Sequence, residues 1–140
     1  MKTPLTGGCS CGAIRYESQM APVMSLICHC RQCQRSSGGA YNPIVVVPRA
    51  ALAVTGLPRY REYTADSGNT ARDGFCERCG AHVLGSTSGM PEVMAIRVAS
   101  LDDPSGFQAQ MHVFTESAQP WARINDGLPQ FPKMPPMPGQ

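Results

Sequence analysis

Apolar and polar residues alternate along this chain in short bursts, without the three- and four-residue spacing that marks long amphipathic helices. Seven stretches read as strands: Ala13 to Glu17, Ser25 to Cys28, Ile44 to Val47, Leu52 to Thr55, Arg59 to Thr64, Val93 to Ala99 and Ala109 to Phe114. They are rich in Val, Ile and Tyr. Turn signals bound them, among them Thr55-Gly56-Leu57-Pro58, Asp66-Ser67-Gly68-Asn69 and Asp103-Pro104-Ser105-Gly106. Helices that would alternate with strands in a parallel sheet are missing from the pattern, and one short helical turn is expected at Arg31 to Ser36. The expectation is therefore a single mainly β domain of small sheets over residues 1–140. From about Leu128 the chain carries Pro129, Pro132, Pro135, Pro136 and Pro138, which precludes a regular helix or a central strand. The start of this tail is expected to pack on the domain and its last few residues to be loose.

Composition changes this picture in two ways. With 140 residues and 42% hydrophobic content the chain is no disordered segment, and a domain of that size buries roughly 70% of the surface its unfolded form exposes. A metal is thus not needed merely to rescue a small core. The charge balance, 12 Lys+Arg against 10 Asp+Glu, gives a net charge of +2 with the arginines scattered singly from Arg15 to Arg123. That excludes the basic run of a nucleic-acid binder. The opening Met1-Lys2-Thr3-Pro4 is followed by no long apolar run, so neither signal peptide nor membrane span is expected. A cytoplasmic location with reduced thiols is the reading that follows.

Seven cysteines stand out against that background, because an odd count defeats pairwise disulfides. Their spacing sorts them. Cys9 and Cys11 lie at i and i+2, which in an extended segment point to one side. Cys76-Glu77-Arg78-Cys79-Gly80 has the form of a zinc knuckle, in which the glycine lets the backbone fold beneath the sulfurs. Two plus two makes a closed tetrahedral set, structural in character because four thiolates leave no position for substrate. Four ordinary buried or redox-active cysteines, or an iron site of rubredoxin type, are the competing readings.

The remaining Cys28, Cys30 and Cys33 can converge from the end of a strand and the start of a helix. Three ligands leave one position open, the arithmetic of catalytic zinc. Zinc with three thiolates carries net charge −1, so it is a poor Lewis acid toward a carbonyl but well suited to presenting a further thiolate. The alternatives are a second structural site completed by His29, His82 or His112, and a redox switch at Cys30-Arg31-Gln32-Cys33. Other residues point less sharply. The ring of His29 faces away from the metal, where it either backs the ligand set or meets solvent; His82 and His112 are read as strand histidines. Gly38-Gly39 forms a turn before Tyr41, and Trp121 is expected to anchor the domain's end.

The order Gly8-Cys9-Ser10-Cys11-Gly12, Cys28-His29-Cys30-Arg31-Gln32-Cys33 with Ser37-Gly38, and Phe75-Cys76-Glu77-Arg78-Cys79-Gly80 resembles the glutathione-dependent formaldehyde-activating enzyme (GFA) family. So do Ala99-Ser100-Leu101-Asp102-Asp103-Pro104, His112-Val113-Phe114 and Pro120-Trp121. The resemblance runs from about Gly7 to Met134. It implies an Mss4-like fold of small antiparallel sheets around a structural zinc held by Cys9, Cys11, Cys76 and Cys79, with Cys28, Cys30 and Cys33 as the catalytic-type zinc site. It implies addition of glutathione to formaldehyde, giving S-hydroxymethylglutathione, classed in reverse as a carbon-sulfur lyase. The expected partners are accordingly a small thiol such as glutathione and an aldehyde, with no nucleic acid and no membrane; the expected cofactors are a structural zinc and a more labile second zinc. Because the addition also proceeds uncatalysed, the alternative is a non-catalytic zinc module that binds glutathione, another thiol or a protein partner. Arg31, Arg35 and Arg72 are anion contacts by charge alone.

Overall fold

The computed structural model describes residues 1–136. Its strands are β1 (Leu5–Gly8), β2 (Arg15–Ser18), β3 (Met24–Cys28), β4 (Asn42–Pro48), β5 (Leu52–Thr55), β6 (Arg59–Thr64), β7 (Thr70–Phe75), β8 (His82–Thr87), β9 (Val93–Arg97) and β10 (Met111–Val113). Among the described residues a single α-helix, α1 (Arg31–Ser37), follows β3. The strands form one small sheet, β1-β2-β5, and one of seven strands in the order β10-β3-β4-β9-β8-β7-β6. Every pair is antiparallel except β10 with β3. The mainly β class expected from the pattern is what forms, with a large mixed sheet beside the small one.

β4 shows why the seven-stranded sheet can carry two environments. Its run Ile44-Val45-Val46-Val47 is apolar throughout because both faces are covered, and successive side chains point to opposite faces. Val45 and Val47 join Leu5, Ile14, Tyr16, Val83, Met94 and Ile96 in one core. Ile44 and Val46 join Leu26, Cys28, Cys33, Val113 and Phe114 in the other. The first core includes β1 and β2 residues, so it fills the space between the sheets; the second lies on the opposite face. Each fully buried Val, Leu or Ile contributes about 1.5–3 kcal/mol.

Five of the seven expected strands shift at their ends. Ala13 to Glu17 becomes Arg15–Ser18, Val93 to Ala99 stops at Arg97, Ala109 to Phe114 shrinks to Met111–Val113, and Ser25 to Cys28 and Ile44 to Val47 lengthen to Met24–Cys28 and Asn42–Pro48. Val98–Ser100 turns into a 3-10 helix, and Phe114 adopts a left-handed φ of 56° that ends β10. β1, β7 and β8 were not anticipated, since glycines interrupt their apolar alternation. Beyond Leu128 the chain lies alongside β10: the N–H of Phe131 donates to the His112 carbonyl at 2.9 Å and that of His112 to Pro129 at 2.9 Å. The tail's start thus packs as expected, whereas Pro138 and its neighbours lie outside the described residues. Trp121 is 71% exposed, so the expected packing anchor does not form. Among the described residues no helix is long and apolar enough to cross a membrane.

Candidate functional site

The fold gathers the cysteines into two clusters, each with its sulfurs within 4.8 Å of one another: Cys9, Cys11, Cys76 and Cys79, and separately Cys28, Cys30 and Cys33. All seven are free thiols.

The first cluster lies where the turn after β1 meets the turn after β7. Both turns close the same way. Gly12 and Gly80 take φ of 81° and 80°, a left-handed conformation that strains any residue with a Cβ, and their N–H groups donate to the Cys9 and Cys76 carbonyls at 3.3 and 2.7 Å. Ile14 N–H donates to Cys9 Sγ at 3.2 Å. Sγ of Cys11 is 3.7 Å from those of both Cys9 and Cys76. Bonds of about 2.3 Å directed to a tetrahedron's corners put sulfurs about 3.8 Å apart, so these distances suit a four-thiolate zinc. Amide donation to sulfur favours the thiolate form that a metal needs. At Cys79 the backbone N–H groups of Ala81 and Cys11 pull the thiol down to about 6.

The second cluster is built by the end of β3 and the start of α1. Cys30 is the helix N-cap, with Sγ accepting from the Cys33 N–H at 3.3 Å. Gly38 ends the helix after two turns, its N–H donating to the Gln34 carbonyl. Gln34 fixes the segment further by donating to the carbonyls of His29 at 2.7 Å and Ser117 at 2.9 Å. The crowding of three sulfurs separates their acidities. Donation from Cys28 and Cys33 pulls Cys30 down to about 3. The neighbouring Cys30 sulfur, followed by Cys33, pushes Cys28 well up. Cys33 is lowered by Cys28, but Cys30 and burial outweigh this and carry it up to about 12.

All three sulfurs face a cavity of about 590 Å³. Its wall brings in a buried cation that the sequence did not reveal. Arg97 Nη1 points at Cys33 Sγ from 3.9 Å, and Nη2 donates to Asp73 Oδ1 at 2.8 Å. With its amide oxygen turned inward, Asn42 also accepts from the guanidinium. Burial opposes the charge on Arg97, yet Cys33 and Asp73 together hold its pKa raised. His82, expected as a strand histidine, donates from Nδ1 to the other Asp73 oxygen at 2.9 Å. Tyr63 is a further unanticipated member of the wall, and burial plus the Cys33 and Cys30 sulfurs push its hydroxyl up to about 12.

His29 does face away from the sulfurs, but it does not meet solvent. It is 1% exposed, with Nε2 at 2.8 Å from His112 Nδ1, while His112 Nε2 lies 2.8 Å from Asp126 Oδ2. A carboxylate only accepts, so Asp126 fixes His112 as an Nε2–H tautomer and leaves its Nδ1 to accept from His29. This chain ties the cysteine segment to β10. Of the arginines considered for anion contacts, Arg72 lines the cavity, while Arg31 and Arg35 do not.

The sequence model of the family described as "glutathione-dependent formaldehyde-activating enzyme" matches residues 4–117. In fold the chain is similar to the crystal structure of a Rhodobacter sphaeroides protein at 20% sequence identity, with a TM-score of 0.57 over 90% of this chain and 98% of the other.

Proposed function

Since the chain belongs to the glutathione-dependent formaldehyde-activating enzyme family, we propose that it forms and cleaves a thiol-aldehyde adduct at Cys28, Cys30 and Cys33, as a zinc-dependent carbon-sulfur lyase. The observation that carries this reading is the convergence of three thiols on one cavity beside a buried guanidinium. Cys9, Cys11, Cys76 and Cys79 would hold the structural zinc, and the three-cysteine cluster a second, more labile one. Zinc held by three cysteines supplies stabilisation of a fourth sulfur as thiolate at neutral pH.

The protein's own groups then have distinct tasks. Three thiolates and one zinc would sum to −1, and Arg97, although it shares its charge with Asp73, would lower the cost of bringing an anionic sulfur alongside. Asp73 keeps Arg97 aimed. Addition of the sulfur to the carbonyl carbon leaves negative charge on oxygen, and Tyr63, kept neutral by burial and the nearby sulfurs, would donate its hydroxyl proton to it. The cavity walls would hold the partners together, which is most of what a reaction that also runs uncatalysed requires.

The test is exchange spectroscopy on formaldehyde with a panel of small thiols that includes glutathione, using zinc-replete protein alongside metal analysis. Two zinc ions per chain and adduct interconversion faster than the protein-free control are expected. Rates equal to the control for every thiol tested would sink the lyase reading and leave a thiol-binding module.

A further inference from the structure

Strand register maps the cavity floor row by row. Cys28 pairs with Asn42; the next row on the same face holds Leu26, Ile44 and Arg97; then come Val46, Ala95 and Gly85. Val93 lies opposite Pro48, one row further, and Thr87 pairs with Ala71. At about 3.3 Å per residue, the six steps from Asn42 to Pro48 span roughly 20 Å. Uncharged polar groups enter the wall mainly beyond the apolar rows, at Asn69, Ser86 and Thr87. Val113, Phe114 and Met134 close over the apolar part.

Glutathione fits this arrangement poorly. Its two carboxylates and ammonium lie roughly 6–8 Å from the sulfur by bond lengths, which, for a molecule lying along the cavity floor, sets them among Ile44, Val46 and Ala95. Each would need a charged partner there. Arg97 is committed to Asp73 and Cys33. Arg72 stacks 4.2 Å over Tyr60 and pairs with Glu62 at 3.5 Å, and the remaining charged wall residue, Asp66, is acidic, a partner for the ammonium but for neither carboxylate.

We propose that the thiol handled here carries an apolar body, an alkyl or aryl group, in place of charged arms. This rests on the adduct reading above and specifies its substrate. The reaction balances as before: the sulfur lone pair forms the carbon-sulfur bond, the carbonyl π pair moves to oxygen, and the proton lost from the thiol ends on that oxygen.

Calorimetric titration of the zinc-loaded full chain with phenylmethanethiol, glutathione and phenylmethanol separates the two claims. Phenylmethanethiol is expected to bind at least ten-fold more tightly than glutathione and than phenylmethanol, and to lose at least ten-fold in Cys30→Ser. Ala95→Arg should narrow or reverse the preference for the apolar thiol; Val93→Arg serves the same purpose if that variant does not fold. Glutathione binding as tightly or more tightly, still dependent on Cys30, overturns the apolar body and leaves the adduct reading intact. Phenylmethanol and phenylmethanethiol binding alike, unaffected by Cys30→Ser, overturns the thiol reading. No binding of either thiol overturns both.

Discussion

The two cysteine clusters use one side-chain type for opposite ends. In the four-cysteine cluster two of the sulfur-bearing residues are buried and two exposed, and the turns that carry them come from different sheets. Amides point at the sulfurs. The three-cysteine cluster comes from one continuous segment and opens onto about 590 Å³ of largely apolar space with Arg97 beside it. Ligand chemistry alone does not separate a fastening from a reaction site. What separates them is the number of sulfurs, what lies beyond them, and whether a counter-charge is built in.

Breaking that contrast has consequences of graded size. The largest effect is expected for Cys76→Ser. Structural zinc sites carry apparent binding energies of about 10–16 kcal/mol, comparable to the whole stability of a domain; calorimetry should show loss of the cooperative thermal transition. Asp73→Asn comes next, since it strands the buried Arg97. A destabilisation of about 3–5 kcal/mol in denaturant titration is expected, and an unchanged midpoint would show that Cys33 alone suffices as the partner.

Cys30→Ser should separate fold from chemistry. Serine is a favoured helix N-cap, so stability should change by less than about 1 kcal/mol, while the second metal equivalent and thiol-dependent binding are lost. A collapse of the fold would mean that both clusters are structural. The smallest effect concerns Asp102, which accepts from Arg15 and Thr6 and is held down at about 2 by them. A depressed carboxylate contributes stability above its unfolded value, near 4, and loses it as pH falls through the folded one. Asp102→Asn should therefore lose less stability than the parent between about pH 4 and 2; the pair is half exposed, so the difference will be small.

The four-plus-three partition was legible because it is local: each group's spacing sets which sulfurs share a side. β5 and β6 fell at their expected bounds, as their turns at Gly56 and Gly68 are marked. Arg97 and Asp73 were not legible. They come from different strands, and nothing in Val93–Arg97 or Thr70–Phe75 alone says that a guanidinium and a carboxylate meet beneath a thiol. A faint signal existed in Asp73, a charged residue at a strand position whose same-face neighbour Ala71 is buried. His29 illustrates the limit from the other side. Period two correctly turns it from the sulfurs, but only tertiary structure supplies His112 and Asp126.

The cavity wall is assembled from distant parts of the chain, and this gives the three thiols a history during synthesis. Cys33 leaves the ribosome about a hundred residues before Met134, the late wall residue that covers it. At roughly 5–20 residues per second that interval lasts on the order of 5–20 s. Through the first part of that interval the segment has neither β9's Arg97 nor β10 beside it, and to its end it lacks Met134, so its thiols depend on their surroundings, through prompt metal capture or a reducing milieu, for protection that the finished fold later provides itself.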